Sequence, residues 1–167
     1  CYPNPKIFDT LKPFKEMVKS EMLYPIGQDQ TEDNKAYLAY NVVCGKVSDV
    51  NLGVTLEILQ DVLLNASGAP LKQAILDAGI GNDVNSSYEA EILQPIFSIV
   101  TKNANPEQAD EFINLIENTI KDIISKGIDK KSLMSIINYY EFKYSESDYG
   151  RTPKGLIYYL NALGTWL

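Results

Sequence analysis

The residue type that most often performs acid–base chemistry near neutral pH is absent from this sequence, which contains no histidine. Without histidine there is no Ser-His or Cys-His pair to activate a nucleophile, and there is no His-containing zinc site. Acid–base chemistry would fall to carboxylates or lysines with displaced pKa values. The sequence therefore predicts no catalytic residue and no metal ligand in this chain, and it leaves any substrate-binding residues open.

The nearest approach to a metal-binding set is a group of four carboxylates. The group consists of Glu89, Glu91, Asp110 and Glu111. The first two have the spacing of a strand, and the last two lie at a predicted helix start, where the helix dipole favours negative charge. We interpret all four as solvated surface residues and not as a metal site.

Three other features carry weaker chemical signals. Ser67-Gly68 lacks the lysine and hydroxyl residue of a phosphate-binding loop, so we interpret it as a helix break. Cys44 lies in an apolar run that predicts a buried thiol; with Cys1 it makes no disulfide framework, which favours a reducing, cytoplasmic compartment. Six tyrosines have helical spacing, which predicts core or domain-interface packing instead of a peptide-binding surface. They are Tyr139, Tyr140, Tyr144, Tyr149, Tyr158 and Tyr159.

Length and composition set the class of protein. A chain of 167 residues with 45% apolar and 22% charged residues is typical of one soluble globular domain. A net charge of −7 argues against nucleic-acid binding, which depends on clustered Lys and Arg. No apolar run approaches the roughly 20 residues of a membrane span, so we expect no membrane partner. The first residue is not Met, so we expect a processed product or an excised piece.

The elements that would position any site are organised around residues 48–77. Leu52, Leu56, Leu59 and Leu63 repeat at spacings of four, three and four, which predicts one apolar face of a helix. Ser48 or Asp49 can cap its start. A break over residues 65–70 precedes a short helix, Leu71 to Ala78, which stops at Gly79. We expect the first helix to lie against a sheet.

Strand patterns flank this helix pair, and helices follow. We predict a half-buried strand over residues 14–24, a central strand over residues 35–44, and two more strands over residues 84–90 and 96–102. Three helices then follow, starting near Pro106, Asp129 and Pro153. The first has a predicted buried stripe of Phe112, Ile116, Ile120 and Ile123 and a predicted end at Gly127, and Asp129 caps the second. The order predicts an α+β fold: a two-layer sandwich with helices packed on one face of a mostly antiparallel sheet. The apolar stripe of the last helix continues to Leu167, which favours a fragment of a longer protein.

Four sequence runs carry a resemblance to a known family. They are LEILQDVLLNASGAPLKQAILDAGIGNDV (Leu56–Val84), ILQPIFSI (Ile92–Ile99), KGIDKKSLMSIINYYEFKYSE (Lys126–Glu146) and GRTPKGLIYYLNALGTWL (Gly150–Leu167). Together they resemble the second, non-catalytic domain of the presequence-protease group of pitrilysin/insulinase-type zinc metallopeptidases. The similarity covers about residues 14–167, and the four runs are typical of the scaffold and not of an active site.

The resemblance implies an enzyme built as a clamshell, whose two halves enclose a chamber where peptides are cut. Residues 1–150 would be a non-catalytic α/β domain, possibly without its first elements, and residues 151–167 would begin the helical linker between the halves. Zinc is implied for the full-length parent, through a His-x-x-Glu-His motif in another domain, and no cofactor is implied for this chain. The implied partners are other domains of the same polypeptide and the parent's peptide substrates.

The resemblance predicts a chain that forms chamber wall, supports the catalytic domain and is inactive alone. Two other readings stay open at this stage. A stand-alone interaction or assembly protein would use the same fold without chemistry, and an enzyme would use carboxylates of its own. A related hypothesis is that the excess of carboxylates attracts basic peptides to the chamber by long-range electrostatics.

Overall fold

The computed structural model describes residues 10–29, 31–146 and 149–166. The chain divides into two compact units, Cys1–Thr31 and Glu32–Leu167. In the first unit, the described residues form neither helix nor strand. The strand that the alternation predicts over residues 14–24 is therefore wrong for this structure. Alternation describes which side chains suit a half-buried strand, but a strand forms only where a neighbouring strand accepts its backbone hydrogen bonds.

The second unit contains a three-stranded antiparallel sheet of β1 (Ala36–Val43), β2 (Asp83–Glu89) and β3 (Ile96–Ala104). Its order is β1-β3-β2, with Tyr40 opposite Ile99 in one pair of strands and Ser86 opposite Ile99 in the other. The prediction that β1 is central is therefore wrong, since β3 occupies that place. The apolar residues of β1 alternate between a face on the core and an open face, where Tyr37 is 55% exposed.

Two helices joined by a π turn follow β1. Helix α1 (Val50–Gln60) is capped by Asp49, whose side chain accepts a hydrogen bond from the Leu52 amide at 3.0 Å. The π turn spans Asp61–Asn65, and α2 (Pro70–Asp77) begins with its proline in the first turn. The predicted break and second helix are confirmed.

The first helix lies against the sheet, as its apolar face predicts, and the Gln60 side chain at its end contacts Ser86 of β2. No residue of α1 is fully buried, and its leucine stripe is only half-buried. The fully buried side chains begin in the π turn, with Val62 and Leu64. The wider turn places both of these side chains inward, although two positions apart in an α-helix point about 200° from each other.

Three long helices complete the chain: α3 (Ala109–Lys126), α4 (Lys130–Glu146) and α5 (Lys154–Trp166). A 3₁₀ turn over Pro106–Gln108 precedes α3. The predicted end at Gly127 is confirmed, where φ is 84°, and so is the predicted cap at Asp129, whose carboxylate accepts from the Ser132 amide at 2.7 Å. Among the described residues, no helix is both long enough and apolar enough to cross a bilayer.

The main core, here called the sheet core, lies between the sheet and helices α2 and α3. Its buried members are Leu64, Leu71, Ile75, Ile80, Val84, Ile99, Ala104, Phe112 and Ile116. A smaller cluster, here called the α4 interface, joins α4 to the π turn through Val62, Ile136 and Tyr140. Helices on one face of an antiparallel sheet confirm the predicted α+β class. The predicted boundary at residue 150 stays a prediction.

Candidate functional site

A network of hydrogen-bonded polar side chains surrounds the π turn. Gln60 ends α1 and donates from Nε2 to both the carbonyl oxygen and Oγ of Ser86 on β2, at 3.1 and 3.0 Å. Ser86 Oγ donates to Asn65 Oδ1 at 3.0 Å. Asn65 in turn donates from Nδ2 to Asp61 Oδ1 at 2.8 Å. The network therefore connects both ends of the π turn to the middle of β2.

Two tyrosines of α4 close the other side of this cluster. The Tyr140 hydroxyl donates to the Glu57 carbonyl oxygen at 3.4 Å, and the Tyr144 hydroxyl donates to Glu57 Oε2 at 3.0 Å. Burial, followed by a hydrogen bond to Asp61 and the charge of that carboxylate, raises the pKa of Tyr140 far above its usual range. Burial and the Glu57 carboxylate raise the pKa of Tyr144 to about 12. Both hydroxyls therefore keep their protons, and can donate, to a higher pH than an ordinary tyrosine.

The hydrogen bonds of this cluster attach three elements to one another. The Ser86 hydroxyl is bonded to two amide side chains, and an amide cannot act as a general base. Lys143 lies 5.1 Å from the centre of the Tyr140 ring, where a cation–π contact adds to the attachment. The arrangement holds α1, β2 and α4 together, and sequence reasoning did not predict it.

The helix break that follows the π turn forms a shallow groove with a volume of about 230 Å³. Its lining consists of Asn65, Ala66, Ser67, Gly68, Ala69, Lys72, Gln73 and Leu76. The break is confirmed, since Gly68 has a φ of 72° and Pro70 starts α2. One lysine is the sole charged group in this lining, so the groove holds no acid–base pair.

The four carboxylates that the sequence offers as a possible metal-binding site are exposed. Glu89 ends β2, Glu91 follows outside the strand, and Asp110 and Glu111 lie in the first turn of α3. Across residues 10–29, 31–146 and 149–166, no three potential ligands come close enough together to hold a metal ion. The described residues therefore offer no set of ligands for the zinc that the resemblance implies for the full-length parent protein.

Two sequence expectations need correction. Cys44 is half-buried and not buried, because it lies just beyond the edge strand β1; burial nevertheless raises the pKa of its thiol. Of the six tyrosines, Tyr140 alone is buried, and Tyr149 is half-buried. The other four are exposed in this chain, so they are not core residues of it, and domain-interface packing stays a prediction for them: Tyr139, Tyr144, Tyr158 and Tyr159. Cys1 lies outside the described residues.

The fold is an α+β layer, and comparison with known proteins gives its family. The profile described as the Peptidase M16 inactive domain matches residues 6–140. The chain therefore belongs to this family of non-catalytic peptidase domains, and the resemblance seen in the sequence is confirmed.

Relatives agree with the family. The chain is 36% identical over 156 residues to protein HypA of Clostridium perfringens, covering 93% of this chain and 16% of that protein. It is 29% identical over 167 residues to presequence protease 1 of Arabidopsis thaliana, covering 99% of this chain and 16% of that protein. The mitochondrial presequence protease of Xenopus laevis is 20% identical over 124 residues, covering 72% of this chain and 12% of that protein. The chain thus spans about a sixth of the length of its first two relatives.

Proposed function

We propose that this chain is the non-catalytic domain of a longer zinc metalloendopeptidase, where it forms part of the chamber wall and supports the metal-bearing domain. The observation that carries the proposal is the match of residues 6–140 to the inactive domain of the M16 peptidases. A domain with this role needs a rigid core and attachment surfaces and no reactive group of its own.

Two features of the described residues support a structural role. The polar cluster at the π turn ties three elements together, and its serine hydroxyl is hydrogen-bonded to two amide side chains. Large apolar side chains are exposed on α4 and α5, including Phe142 at 65% and Leu160 at 52%. Exposed apolar surface of this kind marks contact with other protein surfaces, which suits a domain inside a larger chain.

The isolated chain tests the absence of chemistry. The purified 167-residue protein is expected to show no peptide hydrolysis that a chelator abolishes, and no tight zinc binding in equilibrium dialysis. Chelator-sensitive hydrolysis by this chain would overturn the proposal and favour the reading in which the domain has a site of its own.

The full-length protein tests the supporting role. Phe112→Ala opens a cavity in the sheet core, whereas Asn118→Ala on the same helix trims an exposed polar side chain. In the full-length protein, Phe112→Ala is expected to lower peptide hydrolysis while Asn118→Ala leaves it unchanged. Equal activity in the two variants, with Phe112→Ala confirmed as destabilised, would contradict support of the catalytic domain.

The peptides that enter such a chamber are also a proposal. The net charge of −7 suits attraction of basic peptides over a distance, and salt screens such attraction. Cleavage of a lysine-rich peptide by the full-length protein is expected to slow as salt rises, while cleavage of a neutral peptide of equal length does not. Equal salt sensitivity of both peptides would contradict this steering.

The alternative is a stand-alone interaction or assembly protein that uses the same fold without catalysis. A natural gene product that ends near residue 167 would favour this alternative and overturn the leading proposal. A reducing, cytoplasmic compartment stays a prediction, and fractionation of cells that make the protein would test it.

A further inference from the structure

Helix α4 carries apolar side chains on two opposite sides. Its inner side belongs to the α4 interface, where Ile136 and Tyr140 are buried. Phe142 follows Tyr140 by two positions and therefore points about 200° away from it around the helix. Met134, Tyr139 and Phe142 share this outer half of the helix and are 53%, 57% and 65% exposed. The surface formed by the exposed residues of this half is here called the outer face of α4: Met134, Ser135, Asn138, Tyr139 and Phe142.

The preceding helix, α3, gives an example of a solvated helix surface in the same domain. Its exposed side chains include two ion pairs, Glu117–Lys121 at 3.5 Å and Asp122–Lys126 at 2.6 Å. The outer face of α4 contains no charged residue, since only a serine and an asparagine lie among its three large apolar side chains. The centres of protein interfaces are enriched in Tyr, Phe and Met and depleted in charged residues. The outer face therefore has the composition of an interface.

The size of the outer face indicates what kind of partner covers it. Its three large side chains are between 53% and 65% exposed. Because a fully buried aromatic side chain removes about 150–250 Å² from water, covering the rest of these three buries roughly 350 Å² on this domain. A stable complex of separate proteins buries about 800 Å² on each partner. The outer face is therefore too small to hold a second copy of the chain, or another separate protein, by itself.

A neighbouring domain of the same polypeptide needs less area. A short covalent linkage keeps one domain at an effective concentration of about millimolar around the other, so a small contact is populated. The chain spans 16% of its Clostridium relative and 16% of its Arabidopsis relative, so both relatives join a similar domain to a much longer polypeptide. The Arabidopsis alignment covers 99% of this chain, so α4 lies in the matched part.

We propose that the outer face of α4 packs against an apolar surface of another domain of the same polypeptide, outside residues 1–167. The inference rests on the proposed function, in which the chain is one domain of a longer peptidase. Phe142 lies at the centre of the contact, and burial of its ring is favourable because apolar area leaves water. Helix α4 is then held on both sides, by the π turn on one side and by the neighbouring domain on the other.

Hydroxyl-radical footprinting of the full-length protein tests the proposal, because the reaction rate of a phenylalanine follows its exposure. Phe112 is the internal reference, since it is the same residue type and is 2% exposed. Phe142 is expected to react no more than about twofold faster than Phe112, because side chains at the centre of an interface are packed as in a protein interior. A larger difference would overturn the proposal.

Two further outcomes of the same measurement identify the other possible occupants. Slow reaction of Phe142 that is lost when the full-length protein is diluted would overturn the proposal in favour of a second copy. Slow reaction that appears only after a substrate peptide is added would overturn it in favour of a peptide-binding surface.

Two lysine variants of the full-length protein give a matched comparison. Phe142→Lys places a charge at the centre of the outer face, whereas Asn118→Lys places the same charge at an exposed position of α3. Lysine is a good helix former and both positions are exposed, so both variants are expected to fold. Phe142→Lys is expected to raise the reaction rates of Met134 and Tyr139 about fivefold, and Asn118→Lys to leave them unchanged.

The variants overturn the proposal in two ways. Rates of Met134 and Tyr139 that stay low in Phe142→Lys would show that no apolar contact is centred on Phe142. Equal increases in both variants would show that the effect is not specific to the outer face. A gene product ending near residue 167 would overturn the proposed function as well, whereas a reactive Phe142 in a longer polypeptide would overturn the docking of α4 alone.

Discussion

The sheet core and the α4 interface are held together in different ways. The sheet core buries nine apolar residues, and it includes Ile75 and Ile116, which are wholly inaccessible. The α4 interface buries three residues and adds hydrogen bonds from Tyr140 and Tyr144 to Glu57. Apolar burial is non-directional and scales with area, whereas hydrogen bonds contribute little net stability and fix geometry. The comparison teaches that the sheet core supplies the stability of this domain, while the α4 interface sets where α4 lies.

The largest expected effect compares cavities in the two regions. Phe112→Ala in the sheet core is expected to lower the free energy of unfolding by about 4 kcal/mol. Ile136→Ala in the α4 interface is expected to lower it by about 2 kcal/mol, because this residue is 9% exposed and its surroundings can relax. Urea denaturation with an unchanged slope measures both. A larger loss for Ile136→Ala would reverse the comparison.

A second test concerns the close packing of backbone and side-chain atoms around Gly81, at the edge of the sheet core. Gly81 has a φ of 71°, and a Cβ there would collide with Thr101 Oγ1 and the Lys102 carbonyl oxygen. Gly81→Ala is expected to cost about 3 kcal/mol, from left-handed backbone strain together with overpacking.

The matched control for that test is Gly68→Ala. Its φ of 72° is nearly the same, but a Cβ there meets no atom within 4 Å. Backbone strain alone is expected to cost about 1–2 kcal/mol in this variant. Equal losses for the two alanine variants in urea denaturation would show that the close approach at Thr101 does not matter.

The polar cluster at the π turn provides a smaller test. Ser86→Ala removes the hydroxyl that bonds to Gln60 and Asn65 and is expected to cost about 1 kcal/mol. Ser87→Ala, on the opposite face of β2, is expected to stay within about 0.5 kcal/mol of the wild type. Denaturation of the two variants side by side measures the difference. A cost of Ser87→Ala as large as that of Ser86→Ala would contradict a specific role for the cluster.

The smallest expected effect is the dependence of stability on pH. Glu57 and burial raise the pKa of Tyr144 in the folded chain to about 12, from 10.0. Folding therefore favours the protonated hydroxyl, and this contribution is present below pH 10 and is lost as the pH rises towards 12. The free energy of unfolding is expected to fall over this window more steeply in the wild type than in Tyr144→Phe. An equal fall in the wild type and in Tyr144→Phe would contradict this contribution of the Tyr144 hydroxyl.

The sequence predicts much of the fold where the signal is local. The caps at Asp49, Asp129 and Gly127 depend on the chemistry of one residue next to a helix end, and the structure confirms all three. The core positions Phe112 and Ile116 follow from a single helical period. These predictions hold because hydrogen bonds and periodicity within one element need no knowledge of the rest of the chain.

The sequence does not predict the polar cluster, because its members come from distant positions. Gln60 and Ser86 are 26 residues apart, and Glu57 and Tyr144 are 87 residues apart. One local signal was available: Val62 widens the leucine stripe, whereas the apolar Leu64, two positions further on, interrupts its spacing. That interruption is where the structure inserts the π turn.

The sequence by itself determined the class of this domain, its helix ends and the absence of histidine chemistry, because each depends on residue type or on spacing within one element. Only the tertiary structure decided that β3 and not β1 is central, that α1 stays half-buried, and that residues 14–24 form no strand in this unit. Burial and pairing depend on which surfaces meet. A pattern of apolar residues indicates that a surface packs against another surface, but it does not identify which one.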